Sequence, residues 1–418
     1  MDAKNRRTFL KRLGQGSLGA IAFPTFGNAI ANSWETEGIF EGNKNTEAYW
    51  ERVKSQFNFA EGLLYFASPV KIQQETQNFR NTLDGFPSRY MWGGWADEKE
   101  AVRKKVAELF SVSNEEIALI HNTTEGMNLI AQSFDLQPGD EVILGNHEHA
   151  SGTIPWKAWQ EEKGIKLIRP ELAVLPKSSS EITAVYERAI TPKTKVISMC
   201  HVVNTNGMIL PVKEVAQIAH EKGVLVAVDG AQSAGMFTID LNDLACDFFT
   251  ASSHKWLFSP KGIGIFYAKQ KSQKHLKPLI VARGYQDKSI RRLENYNTRN
   301  LPEVLGLGAS VDFHNAIGAL AIQERSFELK SYFRSKIEQD DRFTLKSPSA
   351  DTLSCAIQVV EIHGKKVGTV KQQLWDEYGI DCRPMSSHGL NALRFSFAIF
   401  ITKKDIDYLI KALKTLAE

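Results

Sequence analysis

From about residue 97 onward, segments of helical periodicity alternate with short apolar runs that read as strands, and this limits the fold of the 418-residue chain more than any other feature. DEKEAVRKKVAELF is an amphipathic helix, EEIALIHN a strand, TTEGMNLIAQSF a helix, and DEVILGN a strand behind the turn residues Gln137, Pro138, Gly139 and Asp140. The pattern continues through a helix around Ile154 to Lys163, the strand IKLIRP, the helix EITAVYERAI, the strand KVISMCHVV, the helix VKEVAQIAHEKG and the strand VLVAVDG. Parallel strands need crossover helices, so the alternation predicts an α/β fold, a mostly parallel sheet with helices on both faces. Residues 301–418 differ in texture: a long helical stretch from Leu301 to about Glu338, strands in SCAIQVVEI and ALRFSFA, and a final helix opened by a Thr402/Asp405 capping box. They read as a smaller C-terminal α+β domain, with residues 32–60 packed against it and residues 61–300 forming the large domain.

With 43% apolar and 24% charged residues the chain has material for a large core. Its formal charge of +3 is misleading, because residues 1–31 carry a net +4 and leave about −1 for the remainder. No basic block remains of the kind that nucleic-acid binders show, and no nucleic-acid partner is expected. Within residues 1–31, Arg6, Arg7, Phe9, Leu10 and Lys11 precede a weakly apolar stretch and the small-x-small triplet Ala29, Ile30, Ala31. This resembles a twin-arginine (Tat) signal, and implies a folded cargo of the Tat export machinery with a periplasmic destination. A basic amphipathic helix retained on a cytoplasmic protein is the alternative. No other segment reaches ~18 uninterrupted apolar residues, so no membrane span is expected in the mature protein. The four cysteines, Cys200, Cys246, Cys355 and Cys382, form neither a CxxC pair nor a metal-like spacing and read as free buried thiols.

In open parallel sheets ligands bind beyond the carboxyl ends of the strands. After IALI come His121, Asn122, Thr123 and Thr124; after VILG come Asn146, His147, Glu148 and His149. His201 and Asn204 follow VISMC, Asp229 and Gln232 follow VLVAV, and Ser252, His254 and Lys255 follow DFFTA. An ammonium among Trp256, Leu257 and Phe258 is expensive to bury unless something uses or pairs it. One ligand accounts for the whole inventory. Pyridoxal 5'-phosphate (PLP) needs a lysine amine for its aldehyde, a carboxylate for its pyridine nitrogen, and hydroxyls with a helix N-terminus for its phosphate. The run His147-Glu148-His149 is also a His-x-His, but no third ligand stands at recognisable spacing and no metal is expected.

The stretches TTEGMN, EHAS, HVVN, VDGAQSAG, SSHK and NTRN, in this order from about Leu63 to the C-terminus, resemble the class V aminotransferases, PLP enzymes of fold type I. In texture the chain is most similar to the isopenicillin N epimerase-like members and to the cysteine desulfurase and selenocysteine lyase-like members. The resemblance implies that Lys255 condenses with the cofactor and shuttles the α-proton, that Asp229 pairs with the pyridine nitrogen, and that Gln232 and Asn204 reach the phenolic oxygen. It further implies that His149 stacks on the ring, that Thr123, Thr124, Ser252 and His254 serve the phosphate, and that Arg394 grips the substrate carboxylate. Thr298 would reach the phosphate from a second subunit, which makes a homodimer with a shared active site the expected assembly.

Departures from the family pattern bear on the reaction. Counting from Gly379 places His388 where the desulfurase branch has a cysteine nucleophile, and without a thiolate persulfide chemistry fails. Ala398 to Ile401 replace a polar stretch of which only Thr402 remains, and Arg383 is a second candidate anion contact or a structural strand residue. The expectation is a PLP-dependent enzyme acting at the α-carbon of a small amino-acid-like substrate, an aminotransferase or an isopenicillin N epimerase-like enzyme. The alternatives are a carbon-sulfur or carbon-selenium lyase that needs no cysteine nucleophile, and a non-catalytic PLP-binding protein.

Overall fold

Segments four to seven residues long, built around short apolar runs, become the central strands of the computed structural model, which describes residues 40–59 and 68–418. In chain order the strands are β1 Ile117–Ile120, β2 Glu141–Leu144, β3 Lys166–Ile168, β4 Thr194–Cys200, β5 Leu225–Asp229, β6 Phe248–Ser252 and β7 Gly264–Ala268. They form one sheet in the order β1-β7-β6-β5-β4-β2-β3. Helices Ala150–Lys163, Ser179–Ala189, Val212–Glu221 and the single turn Leu241–Leu244 lie in the crossovers among the parallel strands β2 to β6, and helix Thr123–Ser133 links β1 to β2. β7 alone runs antiparallel to both its neighbours, since it follows β6 through a turn with no crossover helix. Alternate residues divide between two cores: Leu119, Ile143, Ile197, Val226 and Phe249 face one helical layer, and Ile120, Val142, Leu144, Val196 and Phe248 face the other.

The second unit is an antiparallel sheet of β8 Phe343–Leu345, β9 Ile357–Ile362, β10 Arg383–Met385 and β11 Ala392–Ser396, in the order β10-β11-β9-β8. Helices Val367–Tyr378 and Lys403–Leu416 cover it. The expected capping box is present: Thr402 Oγ1 accepts the Asp405 N–H, and the Asp405 carboxylate accepts the Thr402 N–H. The long helix expected from Leu301 to Glu338 is instead two, Leu301–Ile317 and Ala319–Ile337, bent by 75°. The break falls at Gly318, whose φ of +95° only glycine adopts readily. The helix expected from Ile154 starts a turn earlier, because His149 caps it by accepting the Ser151 N–H and Pro155 is accommodated inside. Among the described residues no single helix is long and apolar enough to cross a membrane.

The described part of the N-terminal segment sits at the junction of the two units. Trp50, Val53 and Phe57 pack with Trp256, Phe258 and Phe313 and with Ile399 and Phe400. Lys54 pairs with Asp405 at 2.6 Å, and Arg325 with Glu47 at 2.6 Å. The export signal expected within residues 1–31 lies outside the described residues, as do residues 32–39 and 60–67.

Candidate active site

Five strand ends converge at one sheet edge. Asp229 and Ser252 are the last residues of β5 and β6, Thr123 opens the helix after β1, His149 caps the helix after β2, and Asn204 follows β4. With Thr124, Gln232 and Lys255 they line one cleft, joined by Ser151, Cys200, Val202 and Ala231. The loop VDGAQSAG folds onto the lysine segment because Gly235 has a φ of +93° and a Cβ there would lie 2.7 Å from the Trp256 carbonyl carbon. That close approach brings Asp229 and Lys255 to the same space.

Asp229 is buried, 5% exposed, and its Oδ1 accepts the Ala231 N–H at 2.9 Å. Its Oδ2 has no partner among the described residues. Burial raises its pKa, while Lys255, the Ala231 N–H and His149 favour the charged form. The Lys255 ammonium has no hydrogen-bond or ion-pair partner among the described residues. Enclosure lowers its pKa; Asp229 opposes this, and Arg394 and Arg383 add to it. His149 is exposed at the cleft, with its Nδ1 accepting the Ser151 N–H at 3.2 Å, which leaves the hydrogen on Nε2. Desolvation lowers its pKa, so the ring is neutral at neutral pH.

At the other end of the cleft Ser252 Oγ accepts the Thr123 N–H at 2.9 Å and shares a hydrogen bond with Thr123 Oγ1 at 2.9 Å. Asn122 caps the helix by accepting the Glu125 N–H. Thr123 is buried in this contact and Thr124 is exposed, so Thr124 is the threonine whose hydroxyl is open to an anion at the helix N-terminus. Gln232 Oε1 accepts the Trp256 Nε1–H at 3.0 Å. An indole can only donate, so the Gln232 amide is oriented with its NH2 left for the cleft.

Three expected site residues do not line the cleft. His254 has a buried Nδ1 with no partner among the described residues, and burial, Lys255 and Lys261 lower its pKa. Thr298 is exposed on the loop between Asn295 and Asn300, away from its own chain's cleft. Arg394 approaches from β11 and donates from Nη1 to the Asn204 carbonyl at 2.7 Å, opposite Arg383 in the β10–β11 register. His388 stands in the loop between β10 and β11 with a φ of +57°, donates from Nε2 to the Asn146 carbonyl, and lies over His147 with ring centroids 4.5 Å apart.

All four cysteines are described, and none is poised as a thiolate. Burial pushes the Cys355 and Cys382 thiols up to about 12, and those of Cys200 and Cys246 upward as well. Gly264 begins β7 against the Asn122 backbone, where a Cβ would lie 2.8 Å from Asn122 Cα, and Gly262 takes a φ of +90° in the turn into β7, so the glycines of KGIGIF serve close packing and strand entry, not a nucleotide loop. Sequence reasoning missed Ser151 and Cys200 in the cleft wall. Cys200 was legible only through its register with Asp229 across β4 and β5.

Residues 88–409 match the family described as Aminotransferase class-V. A probable cysteine desulfurase of Halalkalibacterium halodurans is 32% identical over 340 residues, covering 77% of this chain and 83% of that protein. Isopenicillin N epimerase of Streptomyces clavuligerus is 29% identical over 331 residues, covering 75% and 83%. Among solved structures, a C-DES variant with glycine covalently linked to its PLP cofactor superposes with a TM-score of 0.74 at 20% identity, covering 83% of this chain and 93% of that one.

Proposed function

The chain belongs to the aminotransferase class-V family, and from that premise we propose that it is a PLP-dependent enzyme acting at the α-carbon of an amino acid or amino-acid derivative, by transamination or epimerisation. The observation that carries this reading is Lys255, an amine with no partner among the described residues, in a cleft whose wall is the buried Asp229 carboxylate. The residues fit pyridoxal phosphate. Asp229 Oδ2 is unused, the Gln232 amide presents its donors, and an 11-residue helix opens on the cleft at Thr123 and Thr124. When bound, the cofactor supplies an aldehyde that condenses with amines and a protonated ring that withdraws electrons from the α-carbon.

The chain's own groups supply the rest. With the cofactor bound, the helix N-terminus and Thr124 would hold its phosphate, Asp229 would favour a proton on its pyridine nitrogen, and Gln232, Asn204 and His149 would hold its ring. Lys255 Nζ takes a proton from the α-carbon and returns it, and the enclosure that lowers its pKa favours the neutral amine that this exchange needs. Arg394, anchored on the Asn204 carbonyl, fixes the substrate carboxylate. A carbon-sulfur or carbon-selenium lyase is the second reading, and with no poised thiolate among the four cysteines it would work without a cysteine nucleophile. Amino-acid panels assayed for keto acid, loss of chirality, pyruvate and sulfide separate the two. Purified protein supplied with PLP is expected to show a visible absorption band, and borohydride to fix the cofactor on Lys255, read by peptide mass. A colourless wild-type protein overturns the reading.

The assembly we propose is a homodimer with a shared site. Its support is the exposed Thr298, together with the exposed apolar side chains Phe86, Trp92, Ile280, Val281 and Tyr285 in the same two chain regions that line a second, surface pocket. Mixing Lys255→Ala and Thr298→Ala protomers is expected to restore activity that neither variant has alone. Residues 1–31 support a further proposal, export by the twin-arginine route.

A further inference from the structure

Two carboxyls approach the same wall of the cleft, and only Asp229 has been given a task. Glu148, partly buried between His147 and His149, turns inward: its Oε1 accepts the Cys200 N–H at 3.1 Å. Two glycines mark where its oxygens lie. A Cβ on Gly152 would be 3.7 Å from Glu148 Oε2 and 4.0 Å from Asp229 Oδ2, so both carboxyls border one small space. A Cβ on Gly145 would be 3.2 Å from Glu148 Oε1 and 2.7 Å from the Tyr186 hydroxyl, which is buried with no partner among the described residues. The glutamate therefore spans from that hydroxyl to the edge of Asp229.

The groups facing Glu148 decide which carboxyl is charged. From β5 it meets Asp229, from β4 the Cys200 thiol, and from the helix Ser179–Ala189 the Tyr186 hydroxyl. Beyond β3 stands Arg169, which donates to the Gly145 and Asn146 carbonyls and does not pair with Glu148. The flanking His147 is lowered in pKa by burial and by His388, and His149 by desolvation, so neither is a standing cation. Asp229, in contrast, has the Ala231 N–H, Lys255 and His149 to favour its anion. Two close carboxyls in one enclosed wall do not both ionise near neutral pH, and the better-supported one keeps the charge.

Resting on the PLP reading above, we propose that Glu148 is a positioning residue that acts as a neutral carboxylic acid: it holds a proton so that Asp229 is the one negative charge the pyridine nitrogen meets. Enclosure, with the Asp229 charge adding to it, outweighs the Cys200 hydrogen bonds and the more distant Arg169 charge and raises the Glu148 pKa to about 8. Ionisation of Glu148 above that pH puts a second negative charge beside Asp229 and raises the proton affinity of the bound cofactor.

The test compares Glu148→Gln, which keeps the shape and both hydrogen-bonding functions of a neutral acid, with Glu148→Ala. The holoenzyme is titrated from pH 6 to 10 by visible absorbance and by PLP dissociation constant. Wild type is expected to show a transition near pH 8. Glu148→Gln is expected to match the wild-type spectrum at pH 7, to bind PLP within about threefold of wild type because one neutral hydrogen bond replaces another, and to lose the transition. Glu148→Ala, which leaves the Cys200 N–H unsatisfied and opens a void beside Asp229, is expected to weaken PLP binding by about tenfold or more. A transition near pH 8 that survives in Glu148→Gln, or a Gln variant as impaired as Ala at pH 7, overturns the proposal. Infrared difference spectra of the cofactor-free protein between pH 7 and pH 9 separate this failure from failure of the PLP reading. A protonated-carboxyl band present at pH 7, lost at pH 9 and absent from Glu148→Gln supports the neutral acid whether or not PLP binds, and its absence from wild type at pH 7 refutes it.

Discussion

Replacing Arg103 with Met tests whether the segment carrying Thr298 is held by a buried charge pair. Arg103 is fully buried, donates to Glu294 at 2.6 and 2.8 Å, and donates to the Ile117 carbonyl of β1 at 2.7 Å. Glu294, 3% exposed, also accepts the Leu119 N–H at 2.5 Å, so the pair ties residues 290–299 to the strand that leads into the cofactor helix. Burial pushes the Glu294 pKa up, but Arg103 and Lys99 outweigh it and hold the carboxyl below its usual value. An acid lowered in the folded state adds stability above its unfolded pKa and loses it as pH falls through the folded value. Removing one partner of a buried pair costs about 3–5 kcal/mol, and Lys99, which stays 3.3 Å from Glu294, moves the expectation toward the lower figure. At about 2.1 cal/mol/K per residue the unfolding entropy of 418 residues is ~0.9 kcal/mol/K, so Tm falls by roughly 3–6 °C at pH 7. In the variant burial acts on Glu294 without Arg103, which turns its pKa upward, so the deficit shrinks between pH 7 and pH 5. The double variant Arg103→Met/Glu294→Gln removes both charges and is expected to recover most of the loss. Urea titration and scanning calorimetry read both effects. A single variant within about 1 kcal/mol of wild type, or a double variant no more stable than the single, refutes the reasoning.

Asp229→Asn keeps the Ala231 contact through its amide oxygen but removes the charge; the expected result is PLP binding with turnover down by roughly 10²-fold or more, and unchanged turnover would dismiss its role at the pyridine nitrogen. Trp256→Phe removes the donor that orients the Gln232 amide, and PLP binding is expected to weaken by about 3–10-fold, with a shift of the visible band; identical spectra and affinity would show that the amide orientation does not matter. Arg394→Gln is expected to raise KM by at least about tenfold with a smaller effect on kcat, and Arg394→Lys to rescue it only in part, whereas equal KM values would place substrate recognition elsewhere. Replacing Arg6 and Arg7 with Lys is expected to retain the protein inside the cell, read by fractionation, and an unchanged distribution counts against twin-arginine export.

The parallel part of the sheet was legible because each strand buried on both faces leaves a continuous apolar run, and each crossover helix leaves a 3.6-residue stripe beside it. β8 was not readable as a sheet strand, since FTL is three residues long with one fully buried side chain, whereas Arg383 of β10 was already placed as a strand residue. The bend between Ile317 and Ala319 escaped for a different reason. A glycine inside a periodic stretch looks tolerable, and only the left-handed φ of Gly318 turns it into a break. The early start of the helix at Ala150 was hidden because histidine is not a usual capping residue and Pro155 suggested an interruption.

Within the site, Lys255 and Asp229 could be read because a charge at the end of an apolar run is costly unless used, a rule that needs no coordinates. The roles of Gln232, Thr123 and Glu148 depend on partners far away in the chain. Trp256 lies 24 residues from Gln232, Ser252 lies 129 from Thr123, and Cys200 lies 52 from Glu148. Composition assigns Glu148 to the large class of solvated glutamates, and sequence spacing makes it part of a His-x-His. Register corrects both: Cys200 and Asp229 are opposite one another, and the Cys200 N–H is where Glu148 ends. A carboxyl next to a charged carboxylate and without an ion-pair partner of its own must shed its charge to remain there, so the local backbone pairing of two strands sets the protonation state of a residue in the loop after a third.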